Sequence, residues 1–134
     1  MNSRDDTDFA QAYEQALTEV ALPAFAAAGE YARAHGLLCH VGLHRGAGGL
    51  SELGLHARRP GEGLDCRCLI SAEPQSASLV HENHYGGRSE PERIVGPLAS
   101  LNRMVLDTRL QAFFQTGFGL SPDYLARRHG GGFW

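Results

Sequence analysis

Residues 38–45 read LCHVGLHR, residues 51–59 read SELGLHARR and residues 64–72 read LDCRCLISA. Cys39, Val41 and Leu43 alternate with His40, Gly42 and His44. Leu53, Leu55 and Ala57 alternate with Gly54, His56 and Arg58, and Leu64, Cys66, Cys68 and Ile70 with Asp65, Arg67 and Leu69. Successive strand residues point to opposite faces, so these segments describe strands with one face of thiols and aliphatics and one of imidazoles and guanidiniums. A fourth strand is expected over 77–84, with a weaker alternation. The separators at 45–49 (RGAGG), 60–63 (PGEG) and 73–76 (EPQS) consist of turn formers. Connections this short favour an antiparallel meander, because parallel neighbours need a long crossover.

Helices flank this core. Phe9, Tyr13, Leu17, Val20, Ala24, Ala28 and Tyr31 recur in steps of three or four, the period of one helical face, over residues 7–35. Thr7 or Asp6 is the expected cap, Gly36 the expected stop, and Pro23 an expected kink or break, because proline removes one backbone bond and clashes with the preceding turn. A second helix is expected over 98–116, with Leu98, Leu101, Val105, Leu106, Leu110 and Phe113 opposite a polar line of Arg103, Asp107 and Gln111. Residues 85–96 read as a polar, Gly- and Pro-rich connection, with Ser89 and Glu92 as a weak capping box. Ser121-Pro122-Asp123 opens a short final helix. The expected fold is a single α+β domain over 1–134, with residues 1–6 and 129–134 peripheral. Its long N-terminal helix, four-stranded antiparallel sheet, C-terminal helix and short terminal helix place all helices on one sheet face.

Composition narrows the function classes. The chain of 134 residues is about one domain long, with 43% apolar and 20% charged residues, typical of globular proteins. A net charge of -3 gives no global attraction to nucleic acid or anionic membrane. The N-terminus carries charges without an apolar core, unlike a signal peptide, and no apolar run reaches membrane-spanning length, so a cytoplasmic setting is expected. Every basic side chain among Lys and Arg is arginine. Without lysine the chain offers no Schiff base and no phosphate-loop lysine. The three cysteines share the apolar parity and read as free thiols packed in a core. No nucleophile elbow or dinucleotide fingerprint is present, and the spacing of His81 and His84 is not that of the helical zinc proteases; three histidines on the sheet face could hold zinc, but no metal and no cofactor is expected.

Three groups of residues are candidates for function. His81, Glu82, His84, Tyr85 and Arg88 crowd two imidazoles, a carboxylate, a phenol and a guanidinium ahead of Gly86-Gly87. That composition suits an anion- or substrate-binding segment, with His81 or His84 as a base, although strand parity sends the two histidines to opposite faces. The bland alternative is a polar strand end. His40, His44, His56, Arg58 and Arg67 form the polar sheet face, an anion site if its strands are neighbours and otherwise a solvated surface. The order of helix, strands and helix resembles double-stranded RNA-binding domains, but there is no lysine-rich helix start and no aromatic platform, so nucleic acid is not the favoured partner. Finally, the stretch VALPAFAAAG over 20–29 has no polar side chain. Leu22, Phe25 and Ala26 there, with Phe133 and Trp134 at the C-terminus, are the expected surfaces for a homodimer or another protein partner. The leading expectation is a non-catalytic adaptor or chaperone-like interaction module; at fold level the plan is similar to that of secretion-type chaperones.

Overall fold

The computed structural model describes residues 3–46 and 48–121, and side chains from Asp8 onward. Helix α1 (Ser3–Ala16) passes through a π turn (Leu17–Ala21) into α2 (Leu22–Ala34). Strands β1 (Leu38–Arg45), β2 (Ser51–Arg58), β3 (Cys66–Glu73), β4 (Ser78–His84) and β5 (Glu92–Pro97) follow, and then α3 (Arg103–Phe118). All neighbouring strands are antiparallel, in the order β1-β2-β3-β4-β5. The sheet is thus a meander of five strands, not four. The extra strand lies in the segment expected to be a loop.

The long N-terminal helix resolves its proline without breaking. Leu22 N–H donates to Leu17 O, five residues back, and the widened turn places Pro23 at the start of α2. In a regular helix that ring would collide with the carbonyl four residues earlier; the π turn takes up the misfit. The helix begins at Ser3, ahead of the expected caps Asp6 and Thr7. Gly36 ends it at φ +86°, as its position anticipates.

Helix α3 starts later than its apolar pattern does. Leu98–Ser100 form a single 3₁₀ turn, and Asn102 Oδ1 then accepts from Val105 N–H at 3.0 Å as the N-cap. Gly119, at φ +67°, closes the C-terminus with its N–H on Gln115 O. The expected final helix from Pro122 onward, together with Phe133 and Trp134, lies outside the described residues.

Both helical layers sit on one face of the sheet. Tyr13, Leu17, Ala24, Phe25 and Ala28 from the first layer and Leu106, Leu110, Phe113 and Phe114 from α3 share a core with Leu53, Leu55, Cys66, Cys68, Ile70 and Leu79. Tyr31 of α2 meets Phe114 of α3 edge-on at 5.4 Å, so the two helical layers also pack against each other. That second contact explains Asp107. It was expected on a polar surface of α3 but is fully buried, 3.6 Å from Arg103 Nε. A helix covered by both a sheet and another helix has no single wet side, and a one-stripe reading misplaces the residues between its two contacts.

Coverage is uneven at the sheet margins. Leu43, of inward parity, is exposed because α2 shields only the first part of β1, and Leu64 is exposed because it precedes β3. On β5 the neighbours Ile94 and Val95, which face opposite ways, are each 49% exposed. Among the described residues no helix is long and apolar enough to cross a membrane.

Candidate functional site

Strand register turns the polar parity into geometry. His40 lies opposite His56, His56 opposite Arg67, and Arg67 opposite His84. These four side chains form one row across β1–β4 on the face without helices, roughly 14 Å long at the usual strand spacing. The rings of His40 and His56 stack with centroids 4.8 Å apart and planes 16° from parallel. Two carboxylates border the row. Asp65 Oδ2 stands 4.0 Å from His56 Nδ1, and Glu82 Oε1 stands 3.8 Å from His84 Nε2. Arg67 makes no ion pair among the described residues.

At the β1–β2 end the row opens into a cleft of about 750 Å³. His40, His56 and Arg58 line it, with Leu38 beside them, Asp65 from the β2–β3 loop and Arg33 from α2. Arg33 Nη1 donates to Cys39 O at 3.0 Å, which holds the last turn of α2 against β1 and its guanidinium at the cleft. Burial pushes the His56 pKa below its ordinary value of 6.5, and His40, Arg67 and His44 push the same way; Asp65 opposes them. Burial is the largest of these causes, so the His56 ring is held towards its neutral form chiefly by loss of hydration.

The other sequence candidates distribute differently. His44 stands four residues further along β1 on the same face as His40 and pairs with Glu52 at 3.2 Å. His81 and His84 face opposite sides of the sheet: His81 is buried under α3, and His84 joins the open row. Glu82 lies on the open face as well, opposite Arg93. Tyr85 is buried with its ring stacked on Phe113, its hydroxyl donates to Glu92 at 3.2 Å, and Arg88 lies over the ring at 5.0 Å. The segment 81–88 therefore does not converge on one site. Gly86 has a packing role: a Cβ there would fall 2.7 Å from the Leu64 Cβ and 3.0 Å from Asp65 N.

Of the apolar surface expected on the first helix, Phe25 is 1% exposed inside its own core and Leu22 is half-buried; Ala26 alone is open. The outer sheet face is also less polar than expected beyond the row, since Val80 and Leu69 lie there, the former buried. The cysteines keep the inward parity. Burial raises the Cys68 thiol to about 12 and the Cys39 thiol to about 11, against a partial lowering by Arg109 and Arg33 respectively. Among the described residues no cluster of three His, Cys, Asp or Glu side chains is placed to hold a metal ion.

Sequence reasoning missed Arg33 and Asp65 as cleft residues. Arg33 carried a signal as a cation in the last helical turn, and Asp65 shares the parity of Arg67, but nothing local fixes either beside His56. Comparison of the chain with protein-family models, curated proteins and solved structures gives no match.

Proposed function

We propose that this protein is a non-catalytic binding domain whose open sheet face takes a phosphate-bearing small molecule. The observation that carries the reading is the cross-strand row His40–His56–Arg67–His84. Groups of like charge placed directly opposite one another weaken strand pairing. A row with one permanent cation, unpaired among the described residues, and three groups that gain charge on protonation disfavours its own sheet as the pH falls, and an anion lying along it removes that repulsion. The cleft at one end falls within the usual size range of small-molecule sites, and Arg58 and Arg33 at its wall suit bidentate contact with phosphate oxygens.

A nucleic-acid polymer fits this face less well. Its outward side chains on β1–β5 include no phenyl, phenol or indole ring on which bases could stack. Self-association through Leu22, Phe25 and Ala26 has lost most of the surface it needs, because Phe25 lies in the core. The test is calorimetric titration with inorganic phosphate and adenosine monophosphate at several salt concentrations. Binding that weakens at least tenfold in Arg67→Gln with Arg58→Gln, in a domain that still unfolds cooperatively, supports the reading. Unchanged affinity in that variant, or no binding by the natural chain, rejects it. A salt slope demanding many phosphate contacts would move the assignment to a polymer.

A further inference from the structure

A second polar enclosure lies on the opposite side of the sheet, between α3 and the β4–β5 edge. His81 sits there with 6% of its surface exposed, and its Nε2 is buried without a hydrogen-bond partner. Arg109 of α3 contributes a guanidinium whose Nε is likewise buried and unpartnered, and no carboxylate pairs with it among the described residues. Both side chains line one cavity of about 80 Å³, closed elsewhere by Cys68, Asn83, Ala112 and Ile94 and bordered by Glu92. A half-buried arginine beside a buried imidazole, with no carboxylate in ion-pair contact among the described residues, is costly to leave in that state.

We propose that this cavity is a binding site for a carboxylate group, held by the Arg109 guanidinium and the ring N–H of His81. Three features select this chemistry. The volume equals roughly two to three waters' share of liquid, enough for a carboxylate and too small for a phosphate ester with its substituent. One guanidinium supplies one positive charge, which suits a monoanion better than a dianion in a wall that also holds a thiol, an amide, a methyl and a sec-butyl group and has Glu92 at its rim. The planar fork of arginine pairs side-on with a carboxylate, and a neutral imidazole adds one donor while its other nitrogen stays an acceptor. Glu92 is the single acidic group at the rim. Its Oε1 accepts from Tyr85 Oη, which ties it to the β4 side. Ile94, half-exposed on the edge strand, marks the entrance.

The site is independent of the row on the open face, and different histidines report on the two. The experiment is an NMR titration of the ring signals of His81 and His56 with sodium formate at constant ionic strength and pH 7, with sodium chloride as the control anion. The expected result is a saturable shift at His81 that chloride does not produce. Arg109→Gln should weaken it at least tenfold, Arg109→Lys less, and Ala112→Leu should also weaken it by narrowing the cavity while leaving both polar groups intact. No saturable shift at His81, an equal response to chloride, or undiminished affinity in a folded Arg109→Gln protein would overturn the proposal. So would saturation at His56 alone, which would assign the anion to the sheet face.

Discussion

The imidazoles of His40 and His56 stack 4.8 Å apart, each from its own strand, with Arg67 opposite His56 on the next. If the face binds phosphate as proposed, this pairing couples protonation of the face to that binding. His56 titrates below 6.5 in the free protein because burial, His40, Arg67 and His44 all oppose its charge. A phosphate bound there adds negative charge beside the ring, which favours its protonated form. Saturation with phosphate should therefore move the His56 midpoint upward in an NMR pH titration, and phosphate affinity should rise as pH falls through the same range. A midpoint insensitive to phosphate would separate His56 from the site.

His81 predicts an acid limb in stability. Burial first, and then Arg109, hold its folded pKa at about 4, below the ordinary 6.5. As pH falls below 6.5 the unfolded chain takes the proton first, so stability present at neutral pH is lost progressively down to about pH 4 and then levels. The full shift corresponds to on the order of 3 kcal/mol. Urea unfolding at several pH values should show this slope in the natural chain and a flatter one in His81→Gln.

The thiols should be inert in the folded state. Cys68, at about 12, and Cys39, at about 11, carry almost no thiolate at neutral pH, and Cys66 is buried. Cys39, half-buried on edge strand β1, should be the first to react with a thiol reagent, and Cys66 and Cys68 only at the rate of unfolding. Rapid modification of all three in native protein would contradict the inward parity on which the fold rests.

That parity was readable because one face of each strand is packed and the other is wet, which imprints a period of two on Cys39, Cys66 and Cys68 against His40, His56 and Arg67. Strand β5 left no such imprint. Ile94 and Val95 are equally exposed, so nothing selected an alternating pattern, and Pro91, Gly96 and Pro97 look like a loop. The row of basic residues was visible as a list of side chains but not as an alignment, since register is set by pairing between strands. The Arg109–His81 enclosure was invisible for a related reason. Its two polar members are brought together only when α3 lies across β4, and within its own helix Arg109 reads as a solvated charge.

Gly86 predicts a steric failure. A methyl group there would meet the Leu64 Cβ at a distance real side chains do not adopt and press tightly on the Asp65 backbone nitrogen. Gly86→Ala should destabilise by about 1–3 kcal/mol through displacement of the β2–β3 loop. The same displacement carries Asp65 away from His56, so phosphate affinity should change as well. A thermal melt identical to that of the natural chain would show that the loop yields freely.

Ser51 is held from both sides by consecutive residues of the first helix. Tyr13 Oη donates to Ser51 O at 2.6 Å, and Ser51 N–H donates to Glu14 Oε2 at 2.7 Å. Ser51 opens β2, whose first residues face the end of β1, so this clamp fixes where the β1–β2 hairpin begins relative to the helix. Tyr13 is fully buried, and burial, with Glu14 and Glu52 nearby, holds its phenol protonated well above the usual range, which keeps it a donor at every working pH. Tyr13→Phe preserves the packing and removes one bond, at a cost of about 1 kcal/mol. Glu14→Leu removes the charged acceptor and leaves the Ser51 N–H unpaired, which should cost about 1–3 kcal/mol. Because the two groups grip the same residue, the double variant should lose less than the sum of the single losses, and additivity in urea unfolding would show that they act separately.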